Sequence, residues 1–422
     1  MSKYLIKFIV IILLVFSSSC FKDVIDNEIS KVSSNEIDEI VSYLDLKSYP
    51  TTIQTTEIPI VGWHGIQEGN LNKSRFEEAQ EAGININYTH HTHIDSVQKS
   101  LDIAKDLGMK ILIFCPELIK DPINTVLRFM DHPANGGYFI IDEPVASSIS
   151  TYKPLVRTIE SIDSTHFCYI NLLPNQFSAT DLGTIDYKQY INRYIIEIPL
   201  KVLSFDHYPV INTSISPVWY ENLEIIREEA NKNNIPFWAF GLTTSHLEYP
   251  VPNLNHLRLQ VYSNLLYGAK GIQYFTYWTL KSKRWDFNSG PIDVSGKRTE
   301  VFYYLQKINE EIQILSSIFL SSRVTKISHF GQIPKGTIEF DNPPYFIKSI
   351  NINGGNALVS EMENTENRFF IIQNSNLNKE IEIDIQTDSY TKIILKSGTI
   401  IPATLINERF KLIPGDIVIF MR

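Results

Sequence analysis

The chain has 422 residues, of which 43% are hydrophobic and 20% charged, and its formal net charge at pH 7 is -9. This length predicts two or three domains, and the composition is that of a globular protein, which excludes a largely disordered or membrane-embedded chain. The net negative charge and the lack of a basic tract argue against nucleic acid as a partner. The aromatic content of 12% suits either an aromatic core or surfaces on which sugars stack.

The N-terminal segment 1–19 has the pattern of a signal peptide: two lysines precede the apolar run 8–16, and three serines precede Cys20. The apolar run is too short to span a bilayer, which needs roughly 20 residues. A cysteine after small residues resembles the lipobox of bacterial lipoproteins, which implies cleavage before Cys20 and a lipid on it. The alternative is a plain secretion signal with an incidental cysteine. We expect an extracytoplasmic protein of the bacterial cell envelope, anchored to a membrane through Cys20, with residues 20–56 as a tether and one short helix.

Strand and helix patterns then alternate eight times over residues 57–322. The predicted strands are Pro59–Gly65, Ile84–His90, Lys110–Cys115, Tyr138–Asp142, Phe167–Leu173, Val202–Tyr208, Pro236–Leu242 and Ile272–Trp278. Strands that alternate with helices pair in parallel through right-handed crossovers. Eight such units are the content of a closed (β/α)8 barrel, an α/β fold, which we therefore predict for this segment.

The sequence pattern changes after the last predicted helix of the barrel, Glu300–Phe319. Short β-rich runs follow, separated by Gly, Asn and Pro. This pattern predicts a small antiparallel β-domain, sandwich-like, over residues 323–422. No residue in it is typical of catalysis.

Catalytic residues of such barrels lie at the carboxyl ends of the strands. Each predicted strand, followed to its end, contributes acidic, imidazole or aromatic residues: Trp63, His64, His90, His91, His93, Glu117, Asp142, Glu143, Asn171, Asp206, His207, Tyr208, Thr244, His246, Glu248, Tyr277 and Trp278. This set lacks the basic and glycine-rich loops of a phosphate site. Arg284 and Trp285, in the loop after the eighth strand, either extend the pocket or belong to an ordinary solvated loop.

The apolar strand 137–141 leads directly to Asp142, Glu143 and Pro144. A carboxyl group at the end of a buried strand is partly desolvated, which raises its pKa and suits it to proton transfer near neutral pH. Glycosidic cleavage needs one carboxyl group that protonates the leaving oxygen and another that attacks the sugar or activates water. Glu143 is therefore the candidate general acid. The alternative is that both acids only cap the following segment.

These features together resemble the β-galactosidase-like glycoside hydrolases of clan A. The resemblance rests on the barrel, on Glu143 before a proline, and on the runs 204–209 and 274–278. It implies glycosidase activity on a carbohydrate, with Glu143 as the acid/base and Trp278 as the floor of a sugar subsite. No cofactor is predicted. The residues expected to bind the sugar are Trp63, His64, His91, Asp142, Asn171, His207, Tyr208, His246, Tyr277 and Trp278.

The sequence departs from the clan at the end of the seventh strand, where the nucleophilic glutamate should stand. No acid follows that strand until Glu248, and Asp142 replaces the usual asparagine before Glu143. Asp206 or Glu248 could supply the second carboxylate, and we favour Asp206 because a strand end is positioned more rigidly than a loop. If neither does, the barrel is a non-catalytic glycan-binding lipoprotein.

His91 and His93 have the His-x-His spacing found in metal-dependent amidohydrolases, because alternate residues on a strand share a face. That family places the motif on its first strand, whereas here it follows the second. A metal-dependent hydrolase is therefore the third alternative. We expect no metal, and we expect His91 to hydrogen-bond sugar hydroxyl groups instead.

Overall fold

The computed structural model describes residues 57–422, and every structural statement below concerns this part of the chain. The predictions for the signal peptide 1–19, for a lipid on Cys20 and for the segment 20–56 lie outside the described residues and stay predictions. None of the helices in the described range is both long and apolar enough to span a lipid bilayer.

Eight parallel strands close into a barrel in the spatial order β1-β2-β3-β4-β5-β6-β9-β10, with β10 returning to β1. Their bounds are β1 (Ile60–Trp63), β2 (Ile86–Tyr88), β3 (Lys110–Ile113), β4 (Asn135–Asp142), β5 (Cys168–Leu172), β6 (Leu203–Phe205), β9 (Phe237–Leu242) and β10 (Gly271–Phe275). A small hairpin, β7 (Val210–Ile211) and β8 (Ser214–Ile215), follows β6. The predicted (β/α)8 barrel is confirmed; seven of its strands are shorter than the sequence pattern indicates, whereas β4 is longer and begins at Asn135.

The helices surround the barrel and connect successive strands. They are α1 (Lys73–Glu81), α2 (Ile94–Asp106), α3 (Pro116–Lys120), α4 (Pro122–Phe129), α5 (Ile149–Ile162), α6 (Ala179–Leu182), α7 (Tyr187–Glu197), α8 (Trp219–Asn233), α9 (Leu254–Leu266), α10 (Glu300–Ile314) and α11 (Ser316–Ser321). Several begin at side chains that accept a hydrogen bond from the first turn: Asn72 caps α1, Asp186 caps α7 and Asn253 caps α9. Their apolar faces pack on the outward-facing residues of the strands.

The interior of the barrel is filled with aromatic side chains. The inward-facing residues of the strands include Trp63, Tyr88, Phe139, Tyr169 and Phe240. The Trp63 ring centre lies 4.7 Å from that of Tyr88 and 5.0 Å from that of Phe240. This layer closes the barrel below its carboxyl end, so any pocket must lie above it, among the loops that follow the strands.

Two antiparallel sheets form the C-terminal region. One has the order β11-β13-β14-β19-β16-β17 and the other β12-β15-β18. The strands are β11 (Arg323–Phe330), β12 (Ile347–Asn353), β13 (Ala357–Glu363), β14 (Arg368–Asn374), β15 (Ile381–Thr387), β16 (Lys392–Ile394), β17 (Ile400–Pro402), β18 (Arg409–Leu412) and β19 (Ile417–Met421). An apolar core lies between the sheets. The predicted antiparallel β-region after the barrel is confirmed.

The larger sheet rests on the outer side of the barrel through α9. The Ser263 hydroxyl group on α9 donates to Gln373 Oε1 at 2.7 Å, and the Ser360 hydroxyl group donates to the Leu266 carbonyl oxygen at 2.9 Å. The C-terminal sheets therefore support the barrel wall.

Candidate active site

A β-bulge in β4 turns Asp142 into the barrel. The pairing of β4 with β5 shifts by one residue between Phe139 and Ile141, so that Asp142 pairs with Asn171. Phe139 faces the interior, whereas Ile140 and Ile141 both pack on the outer core. A bulge of this kind changes which face the following side chains occupy. Without it, strict alternation would turn Ile141 inward and Asp142 outward.

Glu143 directly follows the strand and has a left-handed backbone conformation, with φ of 47°. This conformation is uncommon and unfavourable for a residue with a side chain. Neighbouring hydrogen bonds hold it: the Glu143 N–H donates to the Asn171 carbonyl oxygen at 2.9 Å, and the buried Tyr190 hydroxyl group donates to the Pro144 carbonyl oxygen at 2.6 Å. The Glu143 side chain is thus presented at the barrel mouth by a fixed backbone.

Regular alternation continues beyond β6 and turns Asp206 and Tyr208 inward. The residue between them, His207, points outward and is buried. Its ring nitrogens lie 3.0 Å from Asn222 Oδ1 and 3.2 Å from Ser216 Oγ. The structure therefore does not bring His207 to the pocket, in contrast to the predicted contact with substrate. Successive side chains of an extended segment point to opposite faces, so His207 faces outward when Asp206 and Tyr208 face inward.

The side chains of Asp142, Glu143 and Asp206 meet, and we call them the carboxyl cluster. Asn171 Nδ2 donates to Asp142 Oδ1 at 3.0 Å and to Asp206 Oδ1 at 2.8 Å. The Glu143 carboxyl group is in hydrogen-bond contact with that of Asp206, which also accepts a hydrogen bond from Tyr208. Two of the predicted catalytic residues, Glu143 and Asp206, are therefore in direct contact.

A buried polar network below the cluster fixes the orientation of Asn171. The Ser204 hydroxyl group donates to Asn171 Oδ1 at 2.9 Å and accepts from Gln273 Nε2 at 2.8 Å. The Tyr169 hydroxyl group and the Trp63 indole N–H donate to Gln273 Oε1, the latter at 3.4 Å. Because its carbonyl oxygen is occupied by Ser204, the Asn171 amide group must present its N–H donors to the carboxyl cluster.

The pKa values of all three carboxyl groups lie above their ordinary range. For Asp142, burial and the nearby charge of Asp206 raise the pKa to about 7, against the hydrogen bond from Asn171. For Glu143, burial and the charge of Asp142 raise the pKa to about 7, and for Asp206, burial and the charge of Glu143 raise it to about 8. Asp142 and Glu143 remain open to solvent at the mouth, although protein groups surround them. Carboxyl groups in contact release their protons in shared steps, so the cluster keeps a proton through neutral pH.

An aromatic wall stands on one side of the cluster. The Tyr208 ring lies 5.7 Å from Phe275 and 5.8 Å from Tyr249. The His246 ring lies 4.8 Å from Tyr249 and 4.9 Å from Phe287. These rings give the pocket the flat apolar surface against which a sugar ring can pack. Tyr208 and His246 were predicted here, whereas Phe275 and Phe287 were not.

Two imidazoles lie after β1 and β2, beside Phe275 of the aromatic wall. The His64 ring lies 5.9 Å from His90 and 5.8 Å from Phe275, and the His90 ring lies 4.7 Å from Phe114. Burial, with a smaller effect of His90, lowers the pKa of His64 to about 4, and burial also lowers the pKa of His90. Both rings are therefore neutral near pH 7 and offer one donor and one acceptor nitrogen each to a polar ligand.

Three predicted aromatic contacts do not line this pocket. Trp63 is 2% exposed and belongs to the aromatic layer inside the barrel. Tyr277 is buried on the outer side, where charged groups of α1 act on its hydroxyl group. Trp278 is 6% exposed and packs under the Arg75 guanidinium, 5.1 Å from the ring centre. Because β10 ends at Phe275, that residue takes the position at the pocket that the sequence analysis gave to Trp278.

Glu248 does not join the cluster. It lies at the exposed corner of a tight turn in which the His246 and Tyr249 backbones bond to each other, with N···O distances of 3.3 and 2.9 Å. Burial and the charges of its own members raise the pKa values of the carboxyl cluster, and hydrogen bonds from Asn171 and Tyr208 oppose this effect; Glu248 is not among the groups that act on them. The geometry therefore favours Asp206 over Glu248 as the second carboxylate.

The folded chain gives the members of the histidine run different surroundings. The strand ends at Tyr88, and the His93 ring caps α2 by accepting a hydrogen bond from the Asp95 N–H at 3.1 Å. His91 is buried and makes no hydrogen bond through its ring within the described residues. Over residues 57–422, no three His, Cys, Asp or Glu side chains are grouped to hold a metal ion. The geometry gives the metal-dependent alternative no support.

Comparisons with known proteins agree on the fold. No protein-family model and no curated protein sequence matches the chain. Among solved structures, a β-galactosidase from Bacillus circulans sp. alkalophilus superposes with a TM-score of 0.59 and 9% identity, covering 88% of this chain and 99% of that enzyme. A glycoside hydrolase family 5 protein from Bacteroides vulgatus gives 0.52 and 11%, covering 86% and 88%.

A β-galactosidase from the psychrophilic Marinomonas ef1 matches over 62% of this chain at 11% identity, with a TM-score of 0.48. The match spans 60% of that enzyme, which is less than two thirds of its length. The matches to the Bacillus circulans and Bacteroides vulgatus proteins show that the chain has the barrel fold of these glycoside hydrolases, with a β-region after the barrel. Its chemistry must be argued from its own residues.

Proposed function

We propose that the protein is a glycoside hydrolase that cleaves O-glycosidic bonds of an oligo- or polysaccharide. The observation that carries this proposal is the contact between Glu143 and Asp206 at the mouth of a barrel lined by aromatic rings. Two carboxyl groups beside a surface suited to a sugar ring are the requirement for acid-assisted glycosidic cleavage. The fold shared with glycoside hydrolases supports the same conclusion.

Glu143 is the general acid in this proposal. Asp206 accepts hydrogen bonds from Asn171 and Tyr208, which stabilise its ionised form. Glu143 and Asp206 share a proton, because burial and neighbouring charges raise the pKa of Glu143 to about 7 and that of Asp206 to about 8. We assign the delivery of this proton to Glu143, which is the more exposed of the two at the barrel mouth. Glu143 gives this proton to the leaving glycosidic oxygen as the bond to the anomeric carbon breaks.

Asp206 is the second carboxylate. Its contact with Glu143 is nearer to the separation of the two carboxyl groups in retaining enzymes, roughly 5–5.5 Å, than to that in inverting enzymes, roughly 6.5–9.5 Å. The short separation favours attack by Asp206 on the anomeric carbon. Water, deprotonated by Glu143, then releases the sugar with retained configuration.

The first test compares the wild type and Glu143→Gln on a panel of aryl glycosides and of plant and host glycans. The substitution preserves the shape of the side chain but removes its proton, so turnover should fall by about a hundredfold or more. On glycosides whose leaving group is a good one, such as dinitrophenolate, the loss should be smaller because that group departs without a proton.

The control is Glu248→Gln, which changes an acid outside the carboxyl cluster and should leave turnover close to that of the wild type. Near-normal hydrolysis by Glu143→Gln would contradict the assignment of the acid, and a loss in Glu248→Gln equal to that in Asp206→Asn would contradict the choice of Asp206.

A glycan-binding protein without catalysis is the second candidate. The feature that favours it is the end of β9, where the uncharged residues 243–246 stand at the position of the clan's nucleophile. Under this alternative, glycans bind equally to the wild type and to Glu143→Gln, and neither cleaves them. We propose in either case that the protein acts outside the cytoplasm, held by a lipid on Cys20, on the grounds of its N-terminal sequence alone.

A further inference from the structure

The aromatic wall of the pocket continues outward beyond the carboxyl cluster. From Phe287, which contacts His246, the next ring is that of Trp285, 6.4 Å from Phe287 and 6.3 Å from His246. Trp285 is 37% exposed, in contrast to the buried tryptophans of the barrel. A sugar chain that leaves the cluster along this wall therefore meets an open indole ring.

The loop that carries Trp285 is fastened to the loop after β9. The backbones of Ser245 and Asn288 exchange two hydrogen bonds of 3.0 Å, and the Leu247 N–H donates to Asp286 Oδ1 at 2.8 Å. The Ser282 hydroxyl group accepts from the Trp285 N–H at 3.0 Å. Hydrogen bonds before and after Trp285 in the sequence thus fix the loop that carries the indole ring, as a preformed binding surface requires.

Three cations lie within four residues of Trp285 in the same loop. Lys281, Lys283 and Arg284 are exposed, and their charged groups make no ion pair with the described residues. The Arg284 guanidinium lies 5.1 Å from the centre of the Trp285 ring. Asp286, the acid of the same segment, accepts the Leu247 N–H. In a chain of net charge -9, this local excess of positive charge at the rim of the pocket favours an anionic group in the ligand.

We propose that Trp285 and these cations form a second sugar subsite, one that takes a ring bearing an anionic group. The substrate class is then an acidic oligosaccharide, in which the negative charge is a uronic acid carboxylate or a sulfate ester. The indole packs against the sugar ring, and the cations neutralise its charge. This inference rests on the proposed glycosidase function and adds to it the nature of the substrate beyond the bond that is cleaved.

The experiment uses the full chain and four substrates that share the sugar cleaved by the wild type. They are its aryl glycoside, a neutral oligosaccharide, and the uronate-containing and sulfated counterparts of that oligosaccharide. Trp285→Ala should lower kcat/KM on the oligosaccharides at least about fivefold more than on the aryl glycoside, as for a well-packed aromatic contact. Replacing Lys281, Lys283 and Arg284 together by Gln should lower the ratio of acidic to neutral turnover by about two- to tenfold.

Tyr390→Ala is the matched control, because Tyr390 is an exposed ring under an arginine, 4.8 Å from the Arg422 guanidinium, in the C-terminal region. It should change none of these ratios. The acidic preference of the wild type should also fall as salt is added. Loss of preference for only the uronate or only the sulfated substrate identifies the anionic group.

The inference is overturned if Trp285→Ala affects the aryl glycoside and the oligosaccharides equally, or if the triple variant keeps the wild-type ratio. Failure of the proposed function has a different signature, because no substrate, including the aryl glycosides, is then turned over. In that case binding of the three oligosaccharides, measured by calorimetry, replaces kcat/KM. Weaker binding in the two variants supports the subsite, and unchanged binding contradicts it.

Discussion

One amide group controls the charge of the carboxyl cluster. Asn171 donates to Asp142 and to Asp206, and both hydrogen bonds hold the pKa of the acceptor below the value that burial and mutual repulsion would otherwise give. Since the folded pKa values still exceed those of unfolded carboxyl groups, the native state binds more protons than the unfolded state between about pH 4 and pH 8. The cluster therefore lowers the free energy of unfolding as the pH rises through this window.

Asn171→Leu keeps the branched shape of the side chain but removes both donors. The pKa values of Asp142 and Asp206 should rise further, so the alkaline limb of the pH–kcat/KM profile should move up by about one unit. At the pH optimum, kcat should fall about ten- to a hundredfold because the carboxylates lose their fixed positions. The profile and the pH dependence of urea unfolding, which should become steeper above pH 4, measure the two effects.

The control is Asn309→Leu. Asn309 is a buried amide that also makes two hydrogen bonds, to the Tyr274 hydroxyl group and to the Ala82 carbonyl oxygen, but on the outer side of the barrel. The Asn309→Leu variant should have a lower free energy of unfolding than the wild type, while its pH–kcat/KM profile should not shift. An unshifted alkaline limb in Asn171→Leu would show that the amide does not set the protonation of the cluster.

The candidate site residues that end apolar strands could be predicted from the sequence, whereas their hydrogen-bond partners could not. Glu143, Asp206 and Asn171 follow apolar strands, and that pattern is visible in the sequence. Ser204 and Gln273 orient Asn171 through hydrogen bonds between β5, β6 and β10, and these depend on strand order and register in space. Such partners cannot be recognised from one segment at a time.

At the scale of elements, the carboxyl-terminal parts of β4 and β10 determine which side chains reach the pocket. Eight strands could be predicted from the alternation of patterns, but the bulge in β4 and the end of β10 at Phe275 could not. The sequence pattern carries β10 on to Trp278, so it assigns the inward face to the wrong aromatic residue. Alternation alone would have placed His207 outside, because Phe205, two residues before it, belongs to the outer core.

Tyr190 on α7 holds the turn after β4. Its hydroxyl group donates to the Pro144 carbonyl oxygen and accepts from the Leu173 N–H at 3.2 Å. Tyr190→Phe should lower the free energy of unfolding by about 1–3 kcal/mol, because buried polar groups lose a partner. It should also lower kcat about tenfold, since the Pro144 carbonyl oxygen, which follows the left-handed Glu143, then keeps only the longer hydrogen bond from the Tyr194 hydroxyl group, 3.3 Å.

Tyr274→Phe separates the two effects. Tyr274 is equally buried, and its hydroxyl group donates to Asn309 Oδ1 at 2.7 Å, away from the pocket. Urea unfolding should show a similar loss of stability in both variants, while only Tyr190→Phe loses kcat. Equal kcat values would mean that the helix supports the fold without positioning the acid.

At the scale of the whole molecule, a buried ion cluster joins the barrel to the C-terminal sheets. Arg258 on α9 pairs with Glu311 on α10, and its guanidinium also lies 3.8 Å from Asp416 beside β19. Lys396 approaches Asp416 to 2.8 Å from the other side. Arg258 and Glu311 are more than 50 residues apart and both are far in sequence from Asp416, so two folding regions could be predicted from the sequence but the contact between them could not.

Arg258→Met should therefore destabilise the protein by about 3–5 kcal/mol, because it leaves Glu311 and Asp416 buried with less compensation. If the pair couples the two regions, urea unfolding should change from one transition to two, with the C-terminal sheets unfolding first.

Arg258→Met combined with Glu311→Leu should recover part of the loss, since the double variant no longer buries an unpaired carboxylate. Lys188→Met, which breaks an exposed pair with Glu228, should cost less than about 1 kcal/mol. A double variant less stable than Arg258→Met would show that Glu311 is stabilised by contacts other than this arginine, among which the Tyr262 hydroxyl group at 2.9 Å is the nearest candidate.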